Sequence, residues 1–182
     1  MDKQFAALKA IGAGDFQHIN GSLEAHLKGT ESILKSWGAD ETLRVAGLFH
    51  AAYGTAGFDE KMVSLTQRQD IAQIIGIEAE ALVYLYCSCD RDYVFPQFGQ
   101  SRFIQFRDRF SGVLFELTIE QARLLCELTV ANELELVYTS DEFKAQYGAE
   151  LFHLFDSMKR YLSVDACSAY KLALHEVSLQ SV

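Results

Sequence analysis

Four side chains have the types and spacing of a ligand set: His18, His26, His50 and Asn132. His26 lies at helical spacing between Leu23 and Thr30, on or beside an apolar stripe of Leu23, Leu27, Ile33, Leu34 and Trp37. His50 continues the stripe Leu43, Ala46, Gly47, and Asn132 sits inside Leu125, Thr129, Leu136. Three separate helices thus each carry one polar group toward what should be core. A buried imidazole or amide costs free energy unless it finds a partner, and a shared metal ion, ligand or water cluster would satisfy all three. His18, in the loop His18-Ile19-Asn20-Gly21, can fold over the same pocket. Neutral imidazole is the commonest metal ligand, and three of them suit Zn, Fe or Mn. One such ion with an open position would lower the pKa of a bound water and support hydrolysis. The competing reading makes each histidine a hydrogen-bonded core residue, and the sequence leaves the two evenly balanced.

Lys28, Thr30, Thr55 and Arg68 are candidates for contacting an anionic substrate, although lysine and arginine on helices are usually solvated. Tyr53, Tyr84 and Tyr86 read as packing residues with their hydroxyls satisfied at the rim, where Tyr53 is also a candidate substrate contact. Glu133 and Glu135 are expected to face water, and His153 and His175, on late helices, to carry no function.

The elements that must position these groups are helices. Pro96 is the one proline, so long helices run with few breaks. The pattern predicts helices over 4–11, from about Ser22 to Trp37, from Glu41 to Tyr53 behind an Asp40 cap, and from Ser64 to Gly76 behind an S-x-x-Q capping box. Further helices are expected over 78–87, over 118–138 behind the T-x-x-Q box of Thr118, over 141–161 with a break at Gly148, and over 163–175. Between 90 and 118 the helical period gives way to alternation, and Ser111-Gly112 signals a turn, so a small β-hairpin is expected there. The aromatic run from Tyr93 to Phe98 is long enough to cover a pocket, although such a run is more often simply packed down.

The spacing of His26, of Leu48-Phe49-His50-Ala51 and of Val130-Ala131-Asn132 resembles the HD-domain superfamily of all-helical metal enzymes. The stretch from Thr66 through Ile75-Gly76-Ile77-Glu78-Ala79-Glu80 resembles the segment after the His-Asp pair in guanosine-tetraphosphate hydrolases. The run from His18 through His26-Leu27-Lys28-Gly29-Thr30 and Trp37-Gly38 to His50-Ala51-Ala52-Tyr53-Gly54-Thr55 is similar to an uncharacterised family of small HD-like proteins, over roughly 15–140. The resemblance implies an all-α, HD-like helical bundle with a metal pocket, but no established reaction. Two departures bear on that expectation. The Asp of the pair is Ala51, and the late Asp is Asn132, whose amide oxygen brings no charge. A two-metal site is therefore not expected, which also weakens an iron-dependent oxygenase of the inositol-oxygenase kind, and one ion on His18, His26, His50 and Asn132 is.

The totals bound the rest. The chain has 182 residues, 49% hydrophobic and 23% charged, as in a globular domain. It reads as one domain over 1–182, with the motif in 15–140 and added helices over 141–178. A net charge of -9 disfavours nucleic acid. No stretch spans a membrane, no leader is evident, and the cysteines Cys87, Cys89, Cys126 and Cys167 fit no zinc spacing, so a cytoplasmic protein with reduced thiols is expected. Leu151, Phe152, Leu154, Phe155, Met158 and Tyr161 could form a homodimer face or pack on the core. The leading functional expectation is a mononuclear metal-dependent hydrolase of a small phosphorylated substrate. A non-catalytic ligand-binding or regulatory module is the alternative.

Overall fold

The computed structural model describes residues 4, 6, 7, 10, 17–18, 21–57 and 62–179, with side chains at 4, 6, 7, 10, 23–57 and 62–179. Of the expected first helix over 4–11, residues 4, 6, 7 and 10 are described and are helical. The chain is mostly helical. β1 (Gln17–His18) and β2 (Gly21–Ser22) pair antiparallel and lead into α1 (Leu23–Ser36). α2 (Glu41–Phe49) follows, started by the Asp40 carboxylate accepting from the Leu43 N–H at 2.8 Å. It ends at Phe49, short of the expected Tyr53, because the backbone turns at His50 and reaches Gly54 at φ +75°.

The Ser64–Gln67 capping box is present, but it opens a 3-10 turn (Leu65–Gln67) that passes into α3 (Arg68–Ile75). Gly76, at φ +90°, redirects the chain into α4 (Ile77–Ser88). The expected hairpin is formed by β3 (Gln105–Arg107) and β4 (Leu114–Glu116), registered with Phe106 opposite Phe115. Before it lies a feature that the loss of period concealed: α5 (Arg91–Val94) and a 3-10 turn (Phe95–Gln97).

α6 (Ile119–Thr139) is opened by the Thr118–Gln121 capping box. α7 (Asp141–Met158) runs unbroken through Gly148, contrary to the expected break. The reason is packing. A Cβ on Gly148 would stand 2.7 Å from Val177 Cγ2 on α8 (Val164–Ser178), so glycine serves close helix approach there. α6 links two apolar clusters. One gathers Leu23, Leu27, Phe49, Leu125 and Leu128 from α1, α2 and α6; the other gathers Val130, Leu134, Phe155, Tyr170 and Leu174 from α6, α7 and α8. Phe155, Met158 and Tyr161 are buried in this packing, while Leu151, Phe152 and Leu154 are half-buried against it. Among the described residues no helix is long and apolar enough to cross a membrane.

Candidate functional site

α1, α2 and α6 bring His26, His50 and Asn132 together, and all three are buried. His26 Nε2 stands 3.2 Å from His50 Nε2 and 2.9 Å from Asn132 Oδ1. The opposite edge of each ring is held by an acceptor. His26 Nδ1 pairs with the Glu135 carboxylate, and His50 Nδ1 donates to the Gly47 carbonyl at 2.6 Å. An acceptor on Nδ1 places a hydrogen there, so each neutral ring turns its Nε2 lone pair toward the meeting point. Asn132 Nδ2 donates to Glu133 Oε1 at 3.0 Å, which aims Oδ1 at the same point. With the rings in these tautomers three acceptor atoms converge, an arrangement that a proton on one ring or a cation would satisfy.

Two glycines make the arrangement sterically possible. A Cβ on Gly29 would lie 2.6 Å from Glu135 Cγ, so the bare backbone of α1 lets Glu135 lie across it toward His26. A Cβ on Gly47 would lie 2.6 Å from Leu34 Cδ1, so α1 and α2 approach at the level of the carbonyl that holds His50. Helix ends add charge. His50 is the C-cap of α2, where unpaired carbonyls give a helix end roughly half a negative charge. His26 lies in the first turn of α1, whose end is positive, and the Glu135 carboxylate offsets that.

These three atoms and Ala51 line a cleft of about 730 Å³. Thr55 also lines it, as does Arg91, the one Lys or Arg in the lining among the described residues. Arg91 Nη1 faces Glu133 Oε1 at 3.3 Å and its Nη2 donates to Tyr86 OH at 3.0 Å. Burial works against the guanidinium, but Tyr86 and Glu133 outweigh it and raise its pKa. Burial likewise pushes the Tyr86 phenol up, so Tyr86 stays a neutral neighbour of the His50 ring at 5.7 Å.

The other sequence candidates are placed elsewhere. Lys28 is exposed and pairs with Glu24 at 2.9 Å. Thr30 donates to the His26 carbonyl at 3.0 Å within α1. Tyr53 is buried, not at a rim, and donates to Glu80 at 2.8 Å; Arg68 grips the same carboxylate with both nitrogens, at 2.6 and 2.9 Å. None of these four lines the cleft. His18 belongs to β1, and its side chain lies outside the described ones. His153 and His175 are exposed.

The expectation that Glu133 and Glu135 face water is corrected. Glu135 is 7% exposed and Glu133 half-buried, because each answers a buried donor. The available signal was spacing: Glu135 is one turn beyond Asn132 on α6, the face that meets α1.

The ligand set suits a single borderline ion better than a pair. Atoms bound to one ion at about 2.05 Å stand roughly 2.9 Å apart across a right angle and roughly 3.3 Å apart across a tetrahedral one. The observed 2.9 and 3.2 Å fall in that range. The carboxylate and carbonyl behind the rings are the usual outer partners of metal-bound histidines. Against this, all three atoms are neutral, and among the described residues no cluster of three or more His, Cys, Asp or Glu is arranged to hold a metal ion.

Residues 7–91 match a family described as a domain of unknown function, DUF6817. The match contains His26 and His50 but ends before Asn132 and Glu135. No curated protein and no solved structure matches the chain.

Proposed function

We propose that the cleft is the working site of a mononuclear metal-dependent hydrolase acting on a small organic molecule. The observation that carries this reading is the convergence of His26 Nε2, His50 Nε2 and Asn132 Oδ1, with both Nδ1 edges already held. The HD-domain resemblance points the same way, with one ion in place of two because Ala51 stands where the paired carboxylate would be.

A divalent Zn, Fe or Mn ion on these atoms would supply Lewis-acid polarisation of a substrate oxygen. The chain's own groups do the rest. Glu135 fixes the His26 tautomer and raises the basicity of its Nε2. Gly47 does the same for His50 through its carbonyl. Glu133 orients Asn132 and balances Arg91, so the floor carries little net charge of its own.

A second reading has its own observation. Ala51 and Asn132 bring no negative charge to the floor, and neutral ligands hold metal less firmly. In that reading His26 is an imidazolium shared between Glu135, Asn132 and His50, and the cleft binds a ligand without turnover.

Elemental analysis of protein purified without chelator or metal-affinity resin separates the two, run beside a folded His26→Ala/His50→Ala variant. About one Zn, Fe or Mn per chain, lost in the variant, supports the metal site and is followed by a hydrolysis screen with carboxylic and phosphoric esters. A folded wild type without metal overturns the hydrolase in favour of the binding module.

A further inference from the structure

The rest of the cleft lining differs in character from its floor. α7 presents two adjacent stripes to it. Phe143, Tyr147, Leu151 and Leu154 form an apolar one, with the rings of Phe143 and Tyr147 centred 4.9 Å apart. Glu142, Gln146 and Glu150, spaced four apart, form a polar and acidic one, and all three are exposed. The charges can be counted among the described residues. Arg91 is balanced by Glu133, and Glu142 and Glu150 remain. Along α7 this excess repels a phosphate or carboxylate rather than attracting it, and a divalent ion on the floor would offset it only at the far end of the cleft.

We infer that the cleft takes a neutral or cationic molecule with a flat apolar body, and discriminates against phosphorylated and other anionic compounds. The body lies along Phe143, Tyr147, Leu151 and Leu154, and the polar end reaches the His26–His50–Asn132 floor. This deepens the proposed function by naming its substrate class, and it rests on the cleft being the working site. The volume of about 730 Å³ falls within the usual range for sites that enclose one small ligand.

Two fluorescent probes test it because they differ by one charged group. N-phenyl-1-naphthylamine is neutral, and 8-anilinonaphthalene-1-sulfonate adds a sulfonate to the same rings. On chelator-treated protein at low salt the neutral probe should bind at least about tenfold more tightly, the size of effect expected from two nearby like charges. Glu142→Lys/Glu150→Lys should close or reverse that gap by improving the anionic probe. Gln146→Trp, at an exposed position that should not disturb folding, should fill the cleft and weaken the neutral probe about tenfold or more.

Equal or tighter binding of the sulfonate by wild type overturns the inference. So does neutral-probe binding that ignores Gln146→Trp in a protein of unchanged circular dichroism. The titrations are run on metal-loaded and on chelator-treated protein. Neutral-probe selectivity in a chain that holds no metal upholds this inference while the hydrolase falls, and a metal-bearing chain that prefers the sulfonate does the reverse.

Discussion

His26 and His50 turn their Nε2 atoms toward each other across 3.2 Å, although each ring already holds an acceptor on its Nδ1 edge. Two neutral rings so held cannot hydrogen-bond to each other through Nε2. A cation at that point would satisfy both rings, and Asn132 Oδ1, at 2.9 Å from His26 Nε2, faces the same place.

Glu135→Gln keeps the shape but removes the charge behind His26. Loss of such an outer partner commonly costs about 10–100-fold in metal affinity. Competition with a chromogenic chelator should show a loss of that order, with a melting temperature within a few degrees of wild type. Unchanged affinity would detach Glu135 from the site.

Gly29→Ala tests how Glu135 is positioned. The new Cβ would meet Glu135 Cγ at 2.6 Å, so the carboxylate must leave His26 or α1 must shift. Overpacking of this kind costs about 1–3 kcal/mol. Most of that cost should disappear in a Glu135→Ala background, a coupling that urea denaturation of the four proteins in a double-mutant cycle measures. Additive costs would mean that the two residues are independent.

Ala51→Asp places a carboxylate beside His50 at a buried position lining the cleft. Metal affinity should rise by about tenfold or more, as anionic ligands favour divalent ions. Without metal the same variant should be less stable, because a buried charge lacks a partner. Calorimetry with and without Zn²⁺ reads both effects, and a variant that gains stability without metal goes against the account.

The helical class, the caps at Asp40, Ser64 and Thr118, and the meeting of His26, His50 and Asn132 were legible in the sequence, because periodicity and capping act locally. Glu135 was not, since a glutamate on a helix is ordinarily solvated and only the partner helix, bare at Gly29, makes burial possible. The cleft wall was not legible either. Gly148 reads as a helix break, but it serves the close approach of Val177 on α8 while α7 runs on past it and carries both Phe143 and Leu151 into the cleft lining. Lys28 and Arg68 read as candidates for an anion, but they pair with Glu24 and Glu80 away from the cleft.

Asp108 supplies a pH test remote from the cleft. Burial raises its pKa, but hydrogen bonds from Ser111, Tyr84 and Phe110 outweigh that and hold the carboxyl below its usual range. A depressed folded-state pKa gives stability that is present above the unfolded pKa and lost as pH falls through the folded one. Asp108→Asn should therefore be less stable than wild type at pH 7, and the difference should shrink below roughly pH 4. Urea midpoints from pH 7 to pH 3 would show it, and a difference constant over that range would contradict it.

An anomalous-scattering map at the zinc edge, from a crystal grown with Zn²⁺, tests the metal site directly. One peak is expected about 2.0–2.3 Å from His26 Nε2, His50 Nε2 and Asn132 Oδ1 together. A map with no peak there, and a continuous hydrogen bond between the two rings, would make the floor of the cleft a protonated polar core and contradict the metal site.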